Sequence, residues 1–330
     1  MTDVAASAAD ASSLPLERQL EQYRRELIAH CYRMLGSGFE AEDAVQETMV
    51  RAWKAYDSFE GRSSLRSWLY RIATNVCLDM LGSKQRRARP MDFGEPQVAE
   101  RVTLATRGEA TWIEPIPDGR VLPEGDPGEV AIAKDAVRLA FIGALQHLPP
   151  KQRAVLILRE VLRWKAEEVA ELLGTTVASV NSALQRARAT LGEQGLDDTG
   201  IGAPRSDDEE ALAARYVDAF ERYDMEALTA LLHEDATLSM PPYDLWLQGG
   251  RDIVGFMLGH GAACEGSRMV PVAANASPAW GQYRRSESGA GYDPWALVVI
   301  ESRDGRITGI NSFLDTDRLF PLFGLAPHLE

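Results

Sequence analysis

Prolines divide this chain more sharply than any other residue type. Pro90, Pro96, Pro115, Pro117, Pro123 and Pro127 crowd the stretch between residues 90 and 127, joined by several glycines. A proline removes a backbone donor and clashes with the preceding turn, so no continuous helix crosses that stretch. On both sides apolar residues recur with a helical period. Ala41, Ala44, Val45, Thr48, Met49, Ala52 and Trp53 make one stripe, and Leu65, Trp68, Leu69, Ile72, Ala73, Val76 and Met80 a second. Beyond the break, Val137, Phe141, Ala144, Leu145 and Leu148 make another, ended by Pro149-Pro150. Two helical modules separated by a linker are therefore predicted.

The second module carries a helix–turn–helix pattern. Val169, Leu172 and Leu173 face inward on its first helix, Gly174-Thr175-Thr176 forms the turn, and Val180, Leu184, Ala187 and Leu191 face inward on its second. After a second Asp/Gly/Pro-rich linker, residues 209–330 mix both periods. Amphipathic helices are expected around Leu212–Phe220, Met225–Leu232 and Asp252–Leu258. Strands are expected at Arg268–Ala274, Ala279–Arg285, Trp295–Glu301 and Arg306–Phe313, the last two joined by a hairpin at Ser302-Arg303-Asp304-Gly305. Helices followed by a meander of strands imply an α+β domain. The expected layout is a disordered tail (1–15), a helical module (16–90), a linker (91–133), a helix–turn–helix module (134–195), a linker (196–208) and an α+β domain (209–330). For 330 residues this is an ordinary domain count.

The net charge of −14 argues against nucleic acid until it is divided by segment. Residues 17–90 hold 13 basic and 10 acidic residues, and residues 134–193 hold 9 and 6. Each module is thus +3. Residues 197–330 hold 10 and 22, net −12, with no lysine. Two weakly basic modules precede one acidic module. Cys31, Cys77 and Cys264 are far apart, with no CxxC or Cys/His cluster, so neither a disulfide framework nor a zinc site is indicated. No apolar run reaches the ~20 residues of a membrane helix, and the start lacks the pattern of a secretory signal. The expected location is cytoplasmic.

On the second helix of the helix–turn–helix, Ala178, Asn181, Ser182, Gln185 and Ala189 point away from the apolar stripe, with Arg186 and Arg188 flanking them. Short polar residues edged by arginines suit a helix lying in a major groove, although a solvated face has the same composition. Three runs separate the two readings. Leu148-Pro-Pro-Lys-Gln-Arg-Ala-Val-Leu, Glu168-Val-Ala-Glu-Leu-Leu-Gly174 and Val180-Asn-Ser-Ala-Leu-Gln-Arg-Ala-Arg188 resemble region 4 of bacterial RNA polymerase sigma factors. In the first module, Glu42-Asp-Ala-Val-Gln-Glu-Thr48 with Arg51-Ala-Trp53 resembles sigma region 2.2. Phe59-Glu-Gly-Arg62 and Trp68-Leu-Tyr-Arg-Ile-Ala-Thr-Asn75 with Asp79 resemble regions 2.3 and 2.4. Two such signatures with no region 3 between them are similar to the extracytoplasmic-function (ECF) group of the sigma-70 family.

The resemblance implies two all-α sigma domains, a region 2 bundle and a region 4 helix–turn–helix. It implies core RNA polymerase and promoter DNA as partners. Asp43, Gln46, Glu47 and Arg51, which composition alone reads as a solvated face, would dock on the β′ clamp, with the β flap as the second polymerase contact. Phe59, Arg62, Arg66, Tyr70, Arg71 and Asn75, with Lys84, Arg86 and Arg87, would hold the −10 strand, one base being flipped near the Ser58–Ser63 loop. Cations plus stacking surface are what single-strand capture needs. Trp68 lies within the apolar arc and is read as core. Ser179, Asn181, Ser182, Gln185, Arg186 and Arg188 would read −35. Here the chain departs from its group, whose second helix often reads Gly-Thr-Val-Lys-Ser-Arg-Leu. Ala178-Ser-Val-Asn-Ser-Ala-Leu184 lacks both cations, and with them some phosphate affinity.

Residues 209–330 resemble a SnoaL-like domain, a curved sheet wrapped by helices around a cone-shaped cavity. The resemblance rests on Tyr216-Val-Asp-Ala-Phe220, Leu228 to Thr237, Met240-Pro-Pro242 and Gly249-Gly-Arg251. His233, Asp235, Asp244 and Asp315 are general-base candidates by residue type, with His233 and Asp235 expected at a helix end. No nucleophile–base pair is visible, so the chain is expected not to be an enzyme; sigma action, which the resemblance implies, needs no cofactor or metal. The alternative is an enzymatic or ligand-sensing C-terminal domain with an unknown small ligand in its cone. The apolar tail, with Leu319, Phe320 and Phe323, either completes the domain's own sheet or packs on the sigma modules, as the resemblance implies. With Trp112 and Ile116 of the linker it forms the expected regulatory contact.

Overall fold

The computed structural model describes residues 15–61, 63–82, 86–193 and 207–330. The expected tail, Arg62, Lys84 and most of the second linker lie outside the described residues. The chain divides into two compact units. One comprises residues up to Arg86, Arg120–Val137 and Ala144–Ile201; the other comprises Arg87–Gly119, Arg138–Gly143 and Gly202–Glu330.

The first unit is all-helical. It begins with α1 (Leu16–Glu21), α2 (Arg24–Leu35), α3 (Gly38–Ala55) and α4 (Leu65–Gly82). Gly36 ends α2 in the left-handed region (φ 74°), which a residue without Cβ enters freely. Ser37 then caps α3, accepting from the Glu40 N–H at 3.2 Å. Leu27, Met34, Ala44, Val45, Leu69 and Ala73 are buried where α2, α3 and α4 meet. Two tryptophans depart from the periodic reading. Trp53, expected on the α3 stripe, is 60% exposed, because the stripe runs past the surface its partners cover. Trp68, expected in the core, is half-buried and packs its ring on Phe59 at 4.8 Å.

The unit continues with α5 (Pro127–Asp135), α6 (Leu139–Gln146), α7 (Pro150–Leu156) running into one π turn (Ile157–Val161), α8 (Ala166–Leu172) and α9 (Val177–Glu193). The division between the units passes through α6. Gly174 takes the left-handed turn (φ 60°) before α9, and Thr176 Oγ1 caps α9 by accepting from the Ser179 N–H at 3.2 Å. Val169, Leu172, Val180, Leu184, Ala187 and Leu191 are all buried, as their spacing predicts.

The two helical modules pack on one another around the end of α2. A helix leaves its last carbonyls without intrahelical donors. Here the buried Arg153 of α7 donates to Met34 O, and to Gln146 O and Leu148 O at 3.1 Å each. Gln146 Nε2 donates to Arg33 O at 3.4 Å, and Arg33 Nε to Ala136 O at 3.1 Å. Burial lowers the Arg153 pKa to about 10, which still leaves it charged at neutral pH.

The second unit is α+β. A six-stranded sheet has the order β2-β1-β6-β5-β4-β3. Its strands are β1 (Leu232–Ser239), β2 (Trp246–Gln248), β3 (Arg268–Ala274), β4 (Ser277–Arg285), β5 (Tyr292–Arg303) and β6 (Arg306–Phe313). The β1–β6 pair is parallel; the other ladders are antiparallel. The β5–β6 hairpin turns through Asp304-Gly305, both at positive φ, as predicted. Helices α10 (Asp207–Glu221), α11 (Met225–Leu231) and α12 (Gly250–Leu258) share a core with one sheet face, Tyr216, Phe220, Ile253 and Phe256 meeting Leu238, Trp280, Val298 and Ile310.

The periodicity missed β1 and β2. His233 and Asp235 stand on β1 rather than at a helix end, half-buried and exposed respectively. The apolar tail forms α13 (Thr316–Leu322) and packs on the unit's own sheet. Phe320 meets Tyr283 edge-on at 5.1 Å, Tyr283 Oη donates to Ala326 O at 2.7 Å, and Leu329 pairs with Tyr292. Leu319, Phe320 and the half-buried Phe323 thus pack within this unit, the first of the two alternatives that the tail offered.

Candidate nucleic-acid interface

The outward face of α9 is built as the sequence indicates. Ser179, Asn181, Ser182, Gln185, Arg186 and Arg188 are all exposed. Arg186 donates to Ser182 Oγ at 2.7 Å, and Arg188 pairs with Glu160 at 2.6 Å. The small residues Ala178 and Ala189 are exposed on the same face. A helix presenting short side chains between flanking cations can approach base edges closely.

The residues of α4 expected at −10 are placed very differently. Tyr70, expected as a stacking surface, is 0% exposed. Its hydroxyl donates to Glu26 at 3.2 Å, its ring meets His30 at 5.1 Å, and Trp164 packs on it at 5.3 Å. The buried arc of α4 is rotated toward Tyr70, Thr74 and Cys77, because α2 and Trp164 cover that side. Thr74 bonds the buried His30 at 3.0 Å, and burial, with nearby Arg33, lowers the His30 pKa to about 3. Arg66 pairs with Glu26 at 2.7 Å, and Arg71 with Glu171 of α8 at 3.1 Å. Phe59 lies half-buried between Tyr56 and Trp68. Asn75 is exposed, and Arg86 is exposed with its guanidinium 2.9 Å from His147 Nδ1.

Arg87 was expected to hold DNA. It belongs to the second unit and is 6% exposed, bonded to Trp112 O, with Glu114 at 3.8 Å. It serves the linker instead.

The polar face of α3 is fully outward: Asp43, Gln46, Glu47 and Arg51 are exposed. Arg51 is held by Glu47 at 2.7 Å and Asp79 at 3.3 Å. Sequence periodicity missed that Val50 (38% exposed) and Trp53 belong to this face. Exposed apolar side chains among charges are the composition of a protein-docking site.

In the second unit, residues 87–119 form a strap across the sheet. At one edge Gln97 N donates to Trp246 O at 2.9 Å, alongside β2. At the other, Pro117 pairs with Ala274 of β3, Ile116 N donates to Asn275 Oδ1 at 2.9 Å, and Asn275 N returns a bond to Ile116 O at 3.1 Å. Arg89 pairs with Glu301 of β5 at 2.7 Å and donates to Asn311 Oδ1 at 3.1 Å. Trp112 and Ile116 are buried within this unit. Ala99 inserts into the core shared by sheet and helices.

The general-base candidates do not converge. Asp244 is paired with Arg107 at 2.6 Å, and Asp315 lies 3.4 Å from Arg318. Among the described residues, the buried charged side chains of this unit are Arg87 and Glu114. A small open cleft lies beside Arg89, Ser239, Asn311 and Phe313. No described helix is long and apolar enough to cross a membrane.

Comparison with known proteins follows the same divisions. The family model for sigma-70 region 2 matches residues 20–87, that for sigma-70 region 4 matches 138–191, and that for the SnoaL-like domain matches 213–310. The chain is 46% identical over 314 residues to the ECF RNA polymerase sigma factor SigG of Mycobacterium tuberculosis (strain ATCC 25618 / H37Rv), covering 94% of this chain and 83% of the relative. It is 32% identical over 172 residues to the ECF RNA polymerase sigma factor SigW of Bacillus subtilis (strain 168), covering 52% of this chain and 84% of the relative. Among solved structures, the M. tuberculosis extracytoplasmic function sigma factor SigJ shares the fold, with TM-score 0.62 and 21% identity over 94% of this chain and 99% of that one.

Proposed function

Because the chain belongs to the ECF RNA polymerase sigma factors, which bind core polymerase and direct promoter-specific transcription initiation, we propose how its surfaces divide that work. The outward face of α3, with Asp43, Gln46, Glu47, Val50, Arg51 and Trp53, docks on the polymerase β′ clamp. The helix–turn–helix module meets the β flap and lays α9 on the −35 element. Phe59, Arg66, Arg71, Asn75 and Arg86, with Arg62 and Lys84, hold the −10 strand. The protein works where polymerase works, in the cytoplasm.

The observation that carries this reading is the closed packing of the first unit. Arg71 is engaged by Glu171, and Tyr70 lies beneath Trp164. Two of the −10 side chains, Arg71 and Arg86, are held by Glu171 and His147 of the second helical module, so the modules separate before each serves its own promoter element. Polymerase binds the separated state and shifts the population toward it, which needs only differential affinity. At its edge the exposed ion pair Arg71–Glu171 stabilises by only ~0–1 kcal/mol; the buried bonds of Arg153, Gln146 and Arg33 are what polymerase contacts must outweigh.

The C-terminal domain is a non-catalytic regulator acting through the strap. Residues 87–119 follow directly on region 2, and a domain that binds them limits the reach of the two sigma modules. The dispersal of His233, Asp235, Asp244 and Asp315 supports a binding role over catalysis. Runoff transcription with core polymerase, comparing the full chain with one ending at residue 204, tests this. Unequal output at equal concentration is expected; equal output refutes the regulatory role.

A further inference from the structure

We propose that Gln185 is the base-reading residue of α9 and that it selects an adenine in the −35 element. This rests on the reading of α9 as the −35 helix and adds the base it recognises. Three observations carry it. First, Gln185 sits near the middle of the exposed face, one helical turn from Ser182 and Ala189 and two from Ala178, all short side chains. Short neighbours let the helix axis approach the groove floor, and the one long side chain among them reaches furthest.

Second, the cations occupy the margins. On a helix of 3.6 residues per turn, Arg186 and Arg188 fall on opposite edges of that face. At the margins of a groove the nearest acceptors are phosphates, which position the helix without reading sequence. Both arginines already hold partners on the protein, Ser182 and Glu160. Among the described residues the amide of Gln185 has no hydrogen-bond partner.

Third, no cation stands at the centre of the face, where Asn181, Ser182 and Gln185 are the exposed polar side chains. Guanine is read by a bidentate arginine or lysine, adenine by a bidentate amide donating to N7 and accepting from N6. A face whose central donor is an amide and whose flanks are methyl groups suits adenine, with thymine methyls against Ala178 or Ala189. Asn181 lies nearer the Arg188 edge and takes a neighbouring base or sugar.

The test is transcription from a promoter library randomised at −35, using the full chain with core RNA polymerase and sequencing the transcripts. The wild-type protein is expected to prefer adenine at one position by about tenfold or more. Gln185→Ala is expected to lose that preference alone. Gln185→Glu is expected to move it toward cytosine, whose exocyclic amine a carboxylate accepts from. Gln185 is exposed, so both variants keep the fold, and a change of preferred base is not produced by a structural defect. Unchanged preferences in Gln185→Ala, or loss of a guanine preference in Arg186→Ala or Arg188→Ala, overturn the assignment. Absence of any −35 preference in the wild-type protein, with transcription intact, overturns instead the reading of α9 on which it rests.

Discussion

At the β3–β4 end of the strap one buried side chain, Asn275, reaches back to the strap's backbone. Asn275 is 0% exposed and lies in the left-handed region (φ 51°) at the turn between β3 and β4. Its Oδ1 accepts from Ile116 N at 2.9 Å. Asn275→Ala would mix two effects, because a Cβ without a local hydrogen bond costs ~1–2 kcal/mol in this conformation. Asn275→Gly keeps the turn and removes the side-chain acceptor, while the bonds from Asn275 N to Ile116 O and from Ala276 N to Asp118 remain. The Ile116 amide, buried with its residue at 1% exposure, then loses its partner. An unsatisfied buried donor costs ~1–3 kcal/mol, so local opening of the strap rises about five- to 150-fold. Hydrogen exchange of the full chain reads this directly. The Ile116 amide is expected to exchange faster by that factor. The Ala88 amide, bonded to Thr111 O at 2.8 Å within the strap, follows if the strap opens as one piece. Amides of the central β4–β5 ladder remain protected. Equal Ile116 protection in Asn275→Gly and wild type would show that this bond does not hold the strap, and the argument from its geometry fails.

Other expectations follow from the same contacts. Trp53→Ala should weaken core polymerase binding by about 2 kcal/mol or more, the scale of an interface anchor, and Asp43→Lys with Glu47→Lys should weaken it further; competition binding at unchanged helicity checks both. His30 is neutral in the fold, with its pKa lowered to about 3, and regains the ordinary value near 6.5 when unfolded. Its contribution is whole above pH 6.5 and is lost as pH falls toward 3, about 2 kcal/mol by pH 5; denaturant melts across that range should show a slope that His30→Gln flattens. Ending the chain after Asp317 removes Phe320 and Leu325 from the sheet of the second unit and should lower its melting temperature, read by calorimetry. That outcome differs from removal of the whole domain, which should change transcription.

The helical period located α3, α4, α8 and α9 because each buries one stripe against one neighbour. The exposed set on α9 followed from its opposite side. The same logic failed at Tyr70, where α4 is covered on a second side by Trp164, a residue 94 positions away that no local pattern announces. It failed at Trp53 because periodicity marks what is apolar, not how far the partner helix extends. Strand β1 begins in the step after α11 with Leu232-His-Glu-Asp, whose polar centre hides any alternation. The prolines of residues 90–127 were legible as a break. That its larger part, up to Gly119, belongs to the C-terminal domain was not, since its anchors, Asn275, Glu301 and Trp246, lie far along the chain and act through backbone or single side chains. The tail's hydrophobicity signalled a docking surface but not which one.

The central claim is that the free protein holds its two sigma modules together and that polymerase separates them. The most direct measurement is the distance between region 2 and the helix–turn–helix, by single-molecule fluorescence transfer between labels at the exposed positions Gln22 and Glu167. A single short-distance population is predicted for the full chain alone. Addition of core polymerase and promoter DNA should convert it to a long-distance one. An extended free protein, or one distance unchanged by polymerase and promoter, would contradict it.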